Sequence, residues 1–165
     1  MHVHLDTDKG PIDIELDSAV APKTVDNFLR YVDAGHYDGT IFHRVIPGFM
    51  AQGGGYDERY EKKPTQPAVE NEASAAAKNV RGTVAMARTS DPHSATAQFF
   101  INVADNGSLD HSAKTPTGWG YCVFGRVTSG MDVVDAIVKS KTGAQGPFAK
   151  DAPLEPIVIR SARRG

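Results

Sequence analysis

One arginine interrupts an otherwise largely apolar stretch of this 165-residue chain, FHRVIPGFMAQGGG over residues 42–55. A guanidinium carries five N–H donors, accepts nothing and does not lose its charge in a protein. Burying it without a partner is costly, so Arg44 reads as a donor held for a group that must be sought beyond its own strand. A second constellation is Gln98-Phe99-Phe100-Ile101-Asn102. In extended chain Gln98, Phe100 and Asn102 share one face, with Phe99 and Ile101 on the other. Polar, aromatic, polar on one face suits a concave site that grips an apolar group while hydrogen-bonding to a backbone. A half-buried strand with polar groups at its edge fits the same letters. His43, next to Arg44, should point to the opposite face and reads as a packed structural histidine.

Other chemistries find less support. His2 and His4 share a strand face and could grip a metal, but no third ligand is near, so two exposed strand residues are the simpler account. Neither a metal nor a cofactor is expected. Asp91-Pro92-His93-Ser94 holds the letters of a hydrolase triad, yet contiguous residues cannot take that geometry, and there is no G-x-S-x-G. Gly53, Gly54 and Gly55 lack the Lys-Ser/Thr ending of a phosphate loop; bends where a backbone or ligand comes close explain them better. The single cysteine, Cys122, lies in the apolar run Tyr121–Phe124 and reads as a small buried hydrophobe.

A formal net charge of −2 argues against nucleic-acid and membrane-surface partners, which attract clustered positive charge. The one basic cluster, Arg160 with Arg163 and Arg164, reads as a solvated tail. No apolar run approaches the length of about 20 residues that a membrane-spanning helix needs. MHVHLDTDKG has neither the basic nor the apolar region of a signal peptide, so the cytoplasm is the expected compartment. The length predicts one domain over residues 1–165.

These candidates need elements to position them. Val3 and Leu5, then Ile12, Ile14 and Leu16, alternate with polar residues around Asp8-Lys9-Gly10, which is a hairpin signal. Val25, Phe28, Leu29 and Val32 switch to helical spacing over residues 22–34, with Pro22 at the start and Gly35 past the end. Strands are predicted at 42–46, around 50–52, at 82–88, 95–103, 119–127 and 156–162, with a second helix over GMDVVDAIVKS. Residues 57–80 read as a long surface excursion, functional or mobile, with at most a turn of helix at Glu72–Lys78. Many short strands and two separated helices predict a mainly β antiparallel barrel or sandwich with helices at its ends.

With those blocks in place the chain resembles the cyclophilins, which are peptidyl-prolyl cis-trans isomerases. FHRVIPGFMAQGG is similar to the family's arginine-bearing signature, GTVAMAR to its next block, ATAQFFINV to its glutamine-phenylalanine strand, and GYCVFGRV with GMDVVDAI to its last strands and second helix. GWGYCVFG is most like the bacterial cytoplasmic branch. The resemblance implies a closed eight-stranded antiparallel β-barrel capped by two α-helices, rotation about X-Pro bonds, and proline-containing or unfolded polypeptides as partners. It implies Arg44 as the catalytic arginine, assisted by Gln52 and Gln98. Phe49, Met50, Phe100 and Leu109 would line the proline pocket, while Ala87, Arg88 and Thr89 form its rim and Tyr121 lies near it.

Three positions depart from the family's common pattern: Arg88 stands for Asn, Tyr121 for His and Ser108 for Trp. Trp119 lies beyond the intervening loop and is no substitute, so weak binding of cyclosporin is expected. Apolar residues of both helices are used in the core, so a monomer is expected. A proline-peptide-binding or chaperone module with incidental isomerase activity is the alternative, and the retained Arg44, Phe49, Gln52 and Phe100 favour the enzyme. A barrel reading single-stranded nucleic acid would want a basic groove, against the overall charge. One local conflict remains: a strict two-residue hairpin at Pro47-Gly48 would pair residue 44 with 51 and turn Gln52 away from Arg44. A shared site needs a looser connection.

Overall fold

The computed structural model describes residues 1–165. The first hairpin joins β1 (His2–Thr7) and β2 (Gly10–Leu16) in the predicted alternation. Val3, Leu5, Ile12 and Ile14 are fully buried, while His2 and His4 face Glu15 and Asp13 on the outer surface. Eight strands close into an antiparallel barrel: β1, then β10 (Val158–Arg164), β3 (Thr40–Ile46), β4 (Met50–Asp57), β6 (Phe99–Asn102), β5 (Thr83–Met86), β7 (Val123–Ser129) and back to β2. The predicted strands at 82–88 and 95–103 are therefore trimmed to their ladder-paired centres.

Helices α1 (Pro22–Asp33) and α2 (Met131–Val138) pack into the barrel's interior cluster of 31 buried residues. Phe28 of α1 enters it with edge or tilted contacts to Tyr37, Phe99 and Phe124. Val133, Val134, Ile137 and Val138 form the buried face of α2. Cys122 is buried in the same core, and burial raises its thiol pKa.

Two expectations change in the structure. Residues 57–80 form no helix at Glu72–Lys78, and the excursion is pinned to the barrel. No side chain at Ala21 caps α1; instead the Glu72 carboxylate accepts from Lys23 N–H at 3.3 Å, Thr24 N–H at 2.7 Å and Thr24 Oγ1 at 2.8 Å. Buried Asn71 and Asn79 donate to the carbonyls of Gly120 and Leu109. The terminal cations, in turn, are no loose tail. They sit on or beside barrel strand β10 and pair outward: Arg160 with Asp8, Arg163 with Asp38 and Arg164 with Asp33.

A second, two-stranded sheet was not foreseen. β8 (Thr142–Gln145) and β9 (Phe148–Pro153) form a hairpin through Gly146-Pro147, and β9 lies against β3. Its sequence signal is the Gly-Pro pair between two short runs, a turn mark that carries no strong alternation on either side.

Candidate active site

The connection between β3 and β4 resolves the conflict at Pro47-Gly48. Phe49 N–H donates to Ile46 O at 3.0 Å, and Gly48 has φ 74°. Pro at the second and a positive-φ Gly at the third position mark a type II turn. The loop therefore spans three residues, 47–49, and Ile46 pairs with Met50, Val45 with Ala51 and Arg44 with Gln52. Directly paired residues of antiparallel strands share a face, so arginine and glutamine stand side by side.

A β-bulge adds the next feature. Phe42 pairs with Gly53 and Arg44 with Gln52, which leaves His43 as the extra residue. A bulge breaks strict alternation, and His43 consequently joins Arg44 at the same cavity, against the expectation that it faces away. It is nonetheless packed as expected: His43 is 4% exposed, stacked on Phe148 at 5.0 Å and beside Tyr56 at 4.9 Å. Its Nδ1 has no hydrogen-bond partner. Burial, aided by the neighbouring Arg44 charge, lowers its pKa from 6.5 to about 4, so the ring is neutral near pH 7.

The cavity has a volume of about 320 Å³, within the range of small-ligand sites. Its floor belongs to a small apolar cluster on the barrel's outer face, where Met50, Ala85, Ala87, Phe100 and Val123 are buried. Phe49, Leu109 and Tyr121 stand half-buried around that floor, and Tyr121 meets Phe100 edge-on at 5.6 Å. Arg44 is exposed at the wall. Its guanidinium takes part in none of the chain's ion pairs. Gln52 is half-buried, and its Nε2 donates to Gln98 Oε1 at 3.0 Å.

Gln98 is thus one hydrogen bond behind the cavity rather than in its lining. Space for it comes from Gly55, where a Cβ would lie 2.5 Å from the Gln98 side chain. Gly54, at φ 92°, similarly lets the strand pass the Tyr37 ring, 2.8 Å from where its Cβ would be. The bends expected at these glycines are close approaches of this kind. Asn102, the third polar residue on that strand face, is buried and structural: it donates to Asn79 Oδ1 and Thr83 Oγ1. Its own Oδ1 accepts from Asn106, which also donates to Phe49 O at 2.8 Å and so fixes the turn.

Arg88 forms the opposite wall. Its Cζ lies 4.5 Å from the Tyr121 ring centroid, its Nε donates to Gly120 O and its Nη1 to Thr89 O. Thr89 lies outside the main cavity. With Arg88, Ser90, Ser108, Thr117 and Tyr121 it borders an adjoining hollow of about 490 Å³. Trp119 is turned away, donating from Nε1 to Asn71 O and packing on His93. Sequence reasoning missed His43, Phe148 and Lys150 as lining residues. The bulge hid the first, and the unforeseen β8–β9 hairpin hid the other two.

Chemically, the cavity offers a free cationic donor, a primary amide and an apolar floor. Its lining includes no Ser, Thr or Cys nucleophile and no carboxylate, and its one histidine, His43, is buried against Phe148. Nor does any cluster of three or more His, Cys, Asp or Glu side chains in the chain have a metal-holding arrangement. The geometry suits non-covalent stabilisation of a bound amide.

Comparison with known proteins gives the same direction. The profile of the family described as cyclophilin type peptidyl-prolyl cis-trans isomerase/CLD matches residues 2–164. The chain is 60% identical to peptidyl-prolyl cis-trans isomerase cyp18 of Streptomyces antibioticus, over 98% of this chain and 96% of that protein. It is 53% identical to isomerase B of Escherichia coli over 94% of each. Among solved structures, a Cryptosporidium parvum cyclophilin type isomerase crystallised in the presence of the dipeptide Ala-Pro matches with a TM-score of 0.80. That likeness holds at 24% identity and covers 100% of this chain and 99% of the other. AquaCyp293 from Hirschia baltica matches at 0.77 and 26% identity, over 99% of this chain and 73% of its own. An outward-facing cavity on a closed eight-stranded barrel, its arginine beside a glutamine over a Met-Phe floor, is therefore matched by end-to-end sequence similarity: the chain belongs to the cyclophilin-type peptidyl-prolyl cis-trans isomerases.

Proposed function

We propose that this isomerase works through Arg44, acting on a proline ring seated against Phe49, Met50, Phe100 and Leu109, and that Arg44's lack of an internal partner is the observation that carries the assignment. Uncatalysed X-Pro rotation takes tens to hundreds of seconds, because amide resonance is lost at the twisted transition state. No covalent bond breaks, so no nucleophile or metal is needed. As the amide twists, the proline nitrogen pyramidalises and gains a lone pair. It then accepts a hydrogen bond that it could not accept in the planar ground state. A guanidinium aimed there binds the transition state more strongly than the substrate, which is the condition for catalysis.

An acceleration of about five decades needs roughly 7 kcal/mol, at about 1.4 per decade. One charged donor in a water-poor site supplies about half of that, by analogy with oxyanion-hole donors. Holding the ring and the flanking backbone supplies the rest. Gln52 takes the backbone role, and Gln98 orients its amide from behind. The partners are proline-containing and unfolded polypeptides. An Ala-Pro dipeptide was present with the Cryptosporidium parvum relative, in keeping with such substrates. Residues 1–165 act as one domain and one monomer, in keeping with only three exposed large hydrophobics, Met1, Val80 and Leu154. The lone buried thiol suits the reducing cytoplasm.

Exchange NMR on an X-Pro peptide tests the centre of this reading. Arg44→Ala should lose most of the turnover while keeping its thermal unfolding, because Arg44 is exposed and belongs to no ion pair. Near-normal turnover in that variant would overturn the assignment.

A further inference from the structure

The twelve residues that line the cavity include three cationic side chains, Arg44, Arg88 and Lys150, and no carboxylate. The chain as a whole has 18 Lys and Arg against 20 Asp and Glu, so this wall is unlike its average surface. The hollow beyond Arg88 contains no carboxylate either. None of the nine ion pairs in the chain uses any of the three cations. Arg88 is nevertheless held in place by the Gly120 and Thr89 carbonyls and the Tyr121 ring. Its charge is fixed at the rim and left uncompensated.

The strand order spreads these charges along the groove. Arg44 lies on β3, Met50 on β4 and Phe100 on β6, and Arg88 follows the end of β5, in the order β3-β4-β6-β5. Lys150 is on β9, whose main barrel contact is β3, and β3 stands three strands from β5 in the barrel order. From β3 to β5 is three strand spacings, about 14 Å at about 4.8 Å each, and an extended peptide covers that in about four residues. A proline on the Met50–Phe100 floor thus has Lys150 toward one end of its peptide and Arg88 toward the other.

We propose that this groove selects X-Pro peptides with acidic side chains close to the proline, Lys150 reading one flank and Arg88 the other. The inference rests on the groove being the isomerase site proposed above. A partly exposed ion pair shifts affinity only a few-fold. Exchanging a carboxylate for an ammonium replaces attraction with repulsion, so the contrast should be about five- to twentyfold at low salt.

The test is exchange NMR at low ionic strength on two series of peptides, with Glu, Gln or Lys just before or just after the proline. In each series kcat/KM should fall from Glu through Gln to Lys, and the contrast should collapse at about 0.5 M salt, where screening reaches only a few ångströms. Lys150→Glu should reverse one series and leave the other ordered. Because each ratio is measured on one preparation, the fraction of folded protein cancels. Equal rates for all three residues, with the Gln peptides turned over and still dependent on Arg44, would overturn the acidic preference alone. Gln-peptide turnover that ignores Arg44→Ala would instead remove the site reading beneath it. If Lys150→Glu slows all peptides equally, Lys150 is structural and its reading role fails. Stronger inhibition by a single-stranded oligonucleotide than by an acidic proline peptide would point to a different occupant and overturn the proposal.

Discussion

Ser108 stands at the position where the family resemblance puts a tryptophan, and it is exposed beside the hollow that Arg88 and Tyr121 border. A serine there supplies neither a flat apolar wall nor an indole N–H donor. Cyclosporin should therefore bind weakly, well short of the low-nanomolar range, when measured by titration calorimetry or by inhibition of turnover. Ser108→Trp should tighten it by about tenfold or more, since a large aromatic at the edge of a binding site often contributes over 1 kcal/mol. Low-nanomolar affinity in the unmodified protein would show that the wall is dispensable. Arg44 and the Gln98-Phe100-Asn102 face were legible in the sequence because such residue types are costly or unusual in a plain sheet, whereas Gln52 and Met50 were legible only through the family resemblance. Lys150 was not legible: a lysine in a polar stretch looks like ordinary solvated surface until a hairpin carries it to the groove.

The bulge at His43 and the type II turn at Pro47-Gly48 show what alternation misses. Period-two reading places residues by parity, and one extra residue in β3 moves His43 onto the cavity side without changing the letters around it. Turn length had the same effect: a three-residue connection rather than two makes Arg44 face Gln52. Only the requirement that both side chains share a site exposed the conflict from sequence. Residues 57–80 posed the opposite problem, since their polar composition hid how firmly they are tied down. The tie at the start of α1 makes a quantitative prediction. Glu72 accepts from two orphan N–H groups of the first turn, doing from a distant loop what an N-cap side chain does locally. Glu72→Ala should cost about 1 kcal/mol, which lowers Tm by about 2–4 °C for a chain of this size. Differential scanning calorimetry checks it; an unchanged Tm would mean water caps α1 as well as Glu72 does.

Inside and outside of the barrel are separate devices: the interior cluster of 31 residues holds the fold, and the five-residue outer cluster floors the groove. Beside that floor, buried His43 packs against Phe148 and Tyr56, and acid should act on the fold through it. Its folded pKa is about 4 against an ordinary 6.5, so between those values the unfolded chain binds a proton that the folded chain refuses. Stability then rises with pH across that window. Read downward, the loss begins near pH 6.5 and is complete near pH 4, where the buried ring has cost about 3 kcal/mol. Half-buried His36 acts with the same sign, because burial and Lys63 lower its pKa too. Asp33 and Asp38, lowered by their hydrogen bonds to Arg164 and Arg163, add a further loss only as pH falls below the ordinary carboxylate value of 3.8. A comparison with His43→Leu, which removes the titrating ring at similar volume, isolates the first step. Urea unfolding of both proteins from pH 7.5 to 4.5 should show the wild type losing about 2–3 kcal/mol more than the variant over that range. Parallel pH curves for the two proteins would mean that the His43 ring already finds a partner for its proton in the folded state, and that its burial is not what sets the acid limit of the barrel.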